Sequence, residues 1–223
     1  LYAVASLEAR LSDSLDSRRR VYSYIPGQRR VKLAPDLAYD TPSPTAGGAA
    51  TIDEQRLFMG AQDRYDLKLV GKKEVLMMYN NFKMTDSKVC PAEVMLVKNF
   101  TNPDCVRWEL HRAWVVEGTL KPGFRHVYSR RIWYFDEDSW NAGWADNWDA
   151  AGKVYRVDTH GFVPFYTKPY GQITDMSTTY DLQTGIWVFS GVWSFNGGGY
   201  ALSQPVVNKS FFSPEALAAE GIR

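Results

Sequence analysis

Short stretches of alternating apolar and polar residues, punctuated by Gly, Pro, Asn and Asp clusters, dominate the chain. Successive side chains of a strand point to opposite faces, so a period of two predicts strands, and the clusters between them predict turns. "RRRVYSYIPGQRRVKLAP" reads as a hairpin, with strands Val21 to Ile25 and Arg29 to Leu33 around a Pro26-Gly27 turn. "WELHRAWVVEGTL" is a long strand closed by Lys121-Pro122-Gly123. "RHVYSRRIWYFDEDSWNAGWADNW" predicts a strand from His126 to Phe135, an acidic turn Asp136-Glu137-Asp138-Ser139, and a second strand from Trp140. "DAAGK" turns the chain again into "VYRV", and "TYDLQTGIWVFSGVW" repeats the pattern around Gln183-Thr184-Gly185.

Helix signals are few. Thr51 followed by Glu54 is a capping-box pattern that predicts a short helix from Ile52 to Met59, ending near Gly60. Ser213-Pro214-Glu215 supplies an N-cap and an N1 proline for a terminal helix stopping near Gly221. "TPSPTAGGAA" from Thr41 to Ala50 reads as a loop leading into the first helix. No internal repeat of fixed period is present.

Within "SWNAGWADNWDAAGK", Trp140, Trp144 and Trp148 recur every four residues. That spacing aligns them on a helix stripe or on one strand face. Asn141, Gly143, Asn147 and Asp149 lower helix propensity, and turns flank the stretch, so the strand reading prevails. It places the three indoles on one face with Ala142 and Asp146, and Asn141, Gly143, Ala145 and Asn147 on the other. On the preceding strand Arg131, Trp133 and Phe135 share a face, which predicts cross-strand aromatic packing.

Composition narrows the function classes. The chain has 223 residues, 45% hydrophobic and 23% charged, with 8 Trp and 13 Tyr. Length and composition are those of a globular domain with a sizeable core. The net charge of +1 provides no global field toward nucleic acid or an anionic membrane. The short basic runs Arg18 to Arg20 and Arg29, Arg30, Lys32 read as solvated faces. No apolar run approaches the ~20 residues of a spanning helix. The chain starts at Leu1 without an initiator Met and without a signal peptide, as expected of a processed chain or a fragment. Cys90 and Cys105 lack the spacing of a metal site. In an oxidising compartment they are a candidate disulfide closing a ~15-residue loop; in a reducing one they are thiols.

Chemistry-bearing motifs are sparse. There is no G-x-S-x-G, no P-loop and no G-x-G-x-x-G. Glu109 and His111 lie two apart on one predicted strand face, an arrangement open to acid/base, metal or purely structural use. Asp136, Glu137 and Asp138 offer carboxylates for calcium but match turn chemistry. "SGVWSFNGGGY" lacks the lysine and following helix of a phosphate loop. "NFT" at Asn99 and "NKS" at Asn208 match the glycosylation sequon. "GKKE" from Gly71 to Glu74 reads as alternating charge at a strand start. The aromatic residues have three uses open to them: core, the wall of an apolar pocket, or a platform for sugar rings. Met59, Met77, Met78 and Met84 favour the pocket, since methionine adapts to varied apolar ligands.

Several stretches together resemble a known family. "YSYIPGQRRVKLAPDLAYDTP", "DRYDLKLVGKKEV", "YNNFKM", "WELHRAWVVEGTLKPGFRHVYSRRIWYFDEDSW" and "YDLQTG" are similar to the C-terminal half of the bacterial domain-of-unknown-function family 1329. The block from Trp108 to Trp140 matches at polar as well as apolar positions. The resemblance implies the fold of periplasmic lipoprotein carriers of the Lol (LolA/LolB) type: all-β with two short helices, a strongly curved antiparallel sheet or unclosed barrel around a helical plug. It implies export to the periplasm and association with inner-membrane exporters of the resistance-nodulation-division type and with outer-membrane proteins. It supplies no catalytic residue. The family is about twice this length, so one Lol-like domain over residues 1–223 lacks the family's N-terminal strands. A half sheet of that kind leaves a long edge or an uncovered apolar face.

The expectation is therefore a non-enzymatic periplasmic carrier of a lipid, acyl chain or other hydrophobic molecule, without cofactor or metal, without nucleic acid, and not membrane-spanning. Trp133, Phe135, Trp140, Trp144 and Trp148 are the expected wall, and Leu57, Phe58 and Met59 the lid or plug. The competing classes are a carbohydrate-binding module on the same indoles, an enzyme using Glu109 and His111, and a non-catalytic structural subunit of an envelope complex.

Overall fold

The computed structural model describes residues 3–7, 20–25, 30–33, 38–166, 172–191, 210 and 213–221. Its main body is a seven-stranded sheet built from local hairpins. The strands are β4 (Tyr65–Met78), β7 (Trp108–Leu120), β8 (Arg130–Asp136), β9 (Ala142–Trp148), β10 (Val154–Pro164), β11 (Gln172–Asp181) and β12 (Trp187–Ser190). Antiparallel ladders join β4 to β7, then β8, β9, β10, β11 and β12, each strand to the next in that order. The meander curls until β10 meets β4 at a single parallel bridge, Gly161 to Met78. It stops short of a closed barrel. Apart from that bridge, the side of β4 away from β7 pairs with no other described strand.

Turn chemistry fixes these hairpins. Asp149 Oδ1 accepts from the backbone N–H groups of Ala151 and Lys153, and Gly152 takes the left-handed backbone the turn requires (φ 75). Asp181 Oδ1 accepts from the N–H groups of Gln183 and Thr184 in the same manner. The strand placed at His126 to Phe135 begins later, at Arg130.

A second sheet contains β1 (Ala3–Leu7), β2 (Arg20–Ile25) and β3 (Arg30–Leu33), in that order and antiparallel. The hairpin read at Val21 to Leu33 is its β2–β3 pair. Helix α2 (Pro214–Gly221) packs on this sheet. The Ser213 hydroxyl accepts from the Ala216 N–H at 3.1 Å, the N-cap expected from Ser213-Pro214. The Pro26-Gly27 turn, most of the basic run at 18–20, the glycine-rich segment beyond Gly191 and Asn208 lie outside the described residues.

Between β4 and β7 the chain makes an excursion containing α1 (Ala92–Met95), β5 (Leu96–Val97) and β6 (Phe100–Thr101). Cys90 and Cys105 are joined as a disulfide, 15 residues apart in sequence. The bridge is buried with Met84, Met95 and Val106 against Met78, Val163 and Met176, with Phe189 at its border. The excursion thus caps one end of the sheet.

The segment expected to be a helix from Ile52 to Met59 is instead a run of 3-10 turns, Ile52–Leu57, kinked at Gln55 and Arg56. The capping box forms, with Glu54 accepting from the Thr51 N–H and the Thr51 side chain facing the Glu54 N–H, while the Thr51 hydroxyl donates to Asp53 Oδ1 at 2.8 Å. Arg56 and Leu57 then adopt left-handed backbone (φ 53 and 67), which ends the helix and drives Leu57 toward the sheet. Residues 41–50 before it are held by Ser43 N–H donating to the Ala50 carbonyl and by a Pro42–Thr51 bridge.

Closing a 15-residue loop stabilises the folded chain by about 3 kcal/mol. Paired Cys90→Ala and Cys105→Ala substitutions should lower the urea unfolding free energy by about that amount. A reductant should then shift the midpoint of the native chain but leave the double variant unmoved.

Candidate functional site

The plug segment lies over β8, β9, β10 and β11. Leu57 is fully buried with Trp133, Ala142 and Ala145, and Phe58, Val116 and Phe135 border that cluster. Phe58 meets the Trp133 ring edge-on at 5.1 Å, while Met59 is half-buried. The indole of Trp133, 2% exposed, fits because Gly118 stands beside it on β7. A Cβ on Gly118 would lie 2.8 Å from the ring.

Polar contacts hold the plug as well. Arg131 donates through Nη1 to Asp53 Oδ2 (3.0 Å), through Nη2 to the Leu57 carbonyl (3.0 Å), and through Nε to Asn147 Oδ1 (2.9 Å). Trp133 Nε1 donates to the same Leu57 carbonyl at 3.1 Å. His126 accepts at Nδ1 from the Tyr128 N–H (3.0 Å), which leaves its proton on Nε2, 2.9 Å from Asp53 Oδ2. Arg156 Nη1 lies 3.3 Å from Glu54 Oε2 and 3.2 Å from the Tyr128 hydroxyl, which itself donates to Glu54. Deeper on the sheet, Asp158 accepts from Asn147 Nδ2 (2.7 Å) and the Thr179 hydroxyl (2.6 Å).

These groups are shielded from water, so their charges matter strongly. Burial by itself would raise the Asp53 pKa, but the Arg131 guanidinium and the His126 hydrogen bond outweigh it and hold the carboxyl at about 2. Among the described residues Asp158 has no cation in direct contact. Burial and the neighbouring Glu54 charge push its pKa well up, against the hydrogen bonds from Thr179 and Asn147. His160, on the same sheet region, is driven down to about 3 by burial and by the charge of Arg56. Its Nε2 has no hydrogen-bond partner among the described residues.

The ladder registers show where each predicted wall residue stands. Trp133 pairs with Ala145 and Phe135 with Ala142, so both look toward the plug. Trp144 pairs with Tyr134, and Trp148 with Arg130, which puts these two indoles on the opposite face. Trp140 lies outside the strand: its backbone is left-handed (φ 61) and its ring is 69% exposed. The expected single face of three indoles is therefore not formed. Trp144 stacks on Trp108 (5.8 Å) and donates to the Leu76 carbonyl (2.6 Å). Trp148 lies under the Arg130 guanidinium. Trp140 stacks on Trp114 (6.4 Å), which shares the plug-facing side with its cross-strand partner Phe135. Ala145 and Asn147, read as the small polar face, are wholly buried beneath the plug.

Beyond the plug the same side of the sheet is uncovered. Leu67 pairs with Gly118 and Leu69 with Val116, and their side chains are 43% and 60% exposed. Leu76 and Leu110, paired further along, are exposed too. An apolar strip thus runs from the Leu57–Trp133 cluster out to open sheet. Sequence reading missed Leu67, Leu69 and the buried charges. Leu67 and Leu69 carried a signal, because they alternate with Asp66 and Lys68, but alternation does not tell which face stays open.

This geometry defines a fold class, a curled and unclosed antiparallel meander with a plug segment on one face. The crystal structure of a putative outer membrane lipoprotein-sorting protein domain from Vibrio parahaemolyticus has it, with a TM-score of 0.52 at 11% identity, over 92% of this chain and 68% of that one. So does the crystal structure of a DUF1329 family protein from Desulfovibrio piger, with a TM-score of 0.52 at 13% identity, over 97% of this chain and 70% of that one. Residues 4–218 match the family described as Protein of unknown function (DUF1329), and the chain belongs to that family. Uncharacterized protein PA3922 of Pseudomonas aeruginosa is 38% identical over 205 residues, 92% of this chain and 44% of that protein. The chain spans less than half the length of this relative.

Two outcomes follow from the buried charges. Arg131→Met leaves Asp53 buried without its cation and should cost about 3–5 kcal/mol in urea unfolding. Acid should destabilise the chain in two windows. His160 is neutral when folded and binds a proton when unfolded, so stability is lost as pH falls from its ordinary value of 6.5 toward about 3, at about 1.4 kcal/mol per pH unit. Asp53 contributes stability above its ordinary 3.8 that is lost as pH falls toward about 2. In unfolding measured against pH, His160→Gln should remove the first slope and keep the second.

Proposed function

We propose that this chain is a non-catalytic binding and carrier module for a lipid, acyl chain or similar hydrophobic molecule, working in the periplasm between the inner-membrane exporter and the outer membrane. The observation that carries the reading is the apolar strip: Leu67 and Leu69 stand exposed on the sheet face where Trp133, Val116 and Phe135 lie under Leu57 and Phe58. An exposed apolar sheet face beside an apolar plug suits a ligand that partitions from water. The fold shared with a lipoprotein-sorting domain supports it, as does a disulfide, which persists in oxidising compartments. Among the described residues no helix is long and apolar enough to cross a membrane.

In this reading Trp133 and Phe135 form the inner wall, Leu67, Leu69 and Val116 the outer wall, and Leu57, Phe58 and Met59 the lid. Trp114 and Trp140 stand at the rim. Trp144 and Trp148 serve the opposite face. Burying a C12 to C16 chain gives on the order of 10 kcal/mol gross at ~0.8 kcal/mol per CH₂. Ordering costs bring this to roughly micromolar affinity, suited to hand-over. A sugar platform is less favoured, because Trp108 and Trp144 cover each other, Trp114 and Trp140 cover each other, and Arg130 covers Trp148.

Native mass spectrometry with added palmitate, together with displacement of a fluorescent fatty acid, tests the proposal. One lipid per chain should bind. Leu69→Glu, at an exposed position, should weaken binding about tenfold or more by placing a charge against the alkyl chain. Trp148→Ala should leave it unchanged. Absence of uptake of palmitate and of phospholipid would sink the carrier reading.

A further inference from the structure

On the sheet face opposite the plug, near the start of β7, the imidazole of His111 is surrounded by the carboxylates of Glu109, Asp136 and Asp138. Asp136, the last residue of β8, brings Oδ1 to 2.8 Å from Nδ1. Glu109, two residues before His111 on the same face of β7, brings Oε2 to 3.7 Å from Nε2. Asp138, in the turn after β8, completes a set in which His111, Asp136 and Asp138 offer one donor atom each within 4.8 Å of one another.

The two inner carboxylates are tied down at their other oxygens. Asp136 is buried, and its Oδ2 accepts from both the N–H (2.9 Å) and the hydroxyl (2.6 Å) of Ser139. Glu109 Oε1 accepts from Asn80 Nδ2 (2.7 Å) and Arg107 Nε (2.6 Å). Each therefore turns its second oxygen to the imidazole. The ring is itself fixed by stacking on Tyr79, 4.2 Å between centroids. Lys72 of β4 and Arg112, next to His111 on β7, are engaged by Glu137 instead.

A neutral imidazole carries one N–H and one lone pair. With a carboxylate oxygen facing each nitrogen, one lone pair necessarily opposes another. A cation bound at Nδ1 removes that conflict. It engages Asp138 as well as Asp136, and it gives Glu109 the part of the carboxylate that orients a ligating histidine through its other nitrogen.

We propose that His111, Asp136 and Asp138 bind a divalent first-row transition-metal ion of the zinc type, with Glu109 as positioning residue for the imidazole. One nitrogen and two carboxylate oxygens suit such an ion better than calcium, which takes oxygen ligands alone. Tetrahedral zinc holds ligands at about 2.0–2.2 Å, hence about 3.3 Å from each other. To reach that spacing the His111–Asp136 pair opens from 2.8 Å, and Asp138, exposed on a turn, moves in to complete the set.

Titration of the chelator-treated chain with Zn²⁺ by calorimetry, and with Co²⁺ by visible absorption, tests the site. The expected result is one ion per chain, with cobalt d–d bands showing an inner-sphere nitrogen ligand. His111→Asn should abolish the bands. Glu109→Gln should weaken binding about 10–100-fold, as loss of an orienting carboxylate does. Asp138→Asn, at an exposed position that leaves the fold intact by circular dichroism, should weaken it at least as much. The proposal is overturned if neither ion binds, or if binding is unchanged in His111→Asn and Asp138→Asn. The first outcome would leave His111 as a structural contact of Asp136 and Tyr79.

Discussion

The buried pairing of the plug's Asp53 and Glu54 with Arg131 and Arg156 of the sheet is the constraint on which the arrangement of this protein turns. Leu57 provides the apolar contact, but one leucine on a short run of 3-10 turns would not by itself choose a position on a curled sheet. The charged groups choose it. Each guanidinium is taken out of water and meets its plug carboxylate only when the segment sits in one register, because Arg131 must reach Asp53, Asn147 and the Leu57 carbonyl together. A displaced plug would leave several charges buried and unpaired, a far larger cost than the loss of the apolar contact.

That division of labour explains why the plug-facing side is half sealed and half open. Over β8 to β11 the interface is polar at its centre, with Asn147, Asp158 and Thr179 continuing the network below the arginines. Toward β4 the network ends, and beyond Val116 the side chains of Leu67 and Leu69 stand exposed. A long strand with exposed leucines, paired on its other side among the described residues only at Met78, invites association. The bulge between Leu69 and Gly71 interrupts the regularity of that edge.

The opposite side of the sheet is organised differently. There the disulfide-closed excursion, rich in methionine, covers Val163 and Met176, while His111 and its carboxylates stand near the start of β7. The two sides share strands but not side chains, since alternate residues of β7 serve one side or the other: His111 and Ala113 on one, Trp114 and Val116 on the other. A hydrophobic ligand on the plug side and an ion on the other could therefore be bound independently.

What the sequence by itself determined is what neighbouring residues decide among themselves. The hairpins, the aspartate-led turns, the Ser213 cap and the alternation that put Trp133 and Phe135 on one face all rest on contacts a few residues long. Family membership was legible for a related reason: the block from Trp108 to Trp140 carries its polar pattern intact. Tertiary structure decided the rest. Trp133 stands opposite Ala145 and not Trp144 because a turn with Trp140 in left-handed backbone sets the register, and a one-residue slip moves every side chain to the other face. Asp53 meets Arg131 across 78 residues and Glu54 meets Arg156 across 102. No local periodicity encodes such partners, because only the curl of the sheet brings them together.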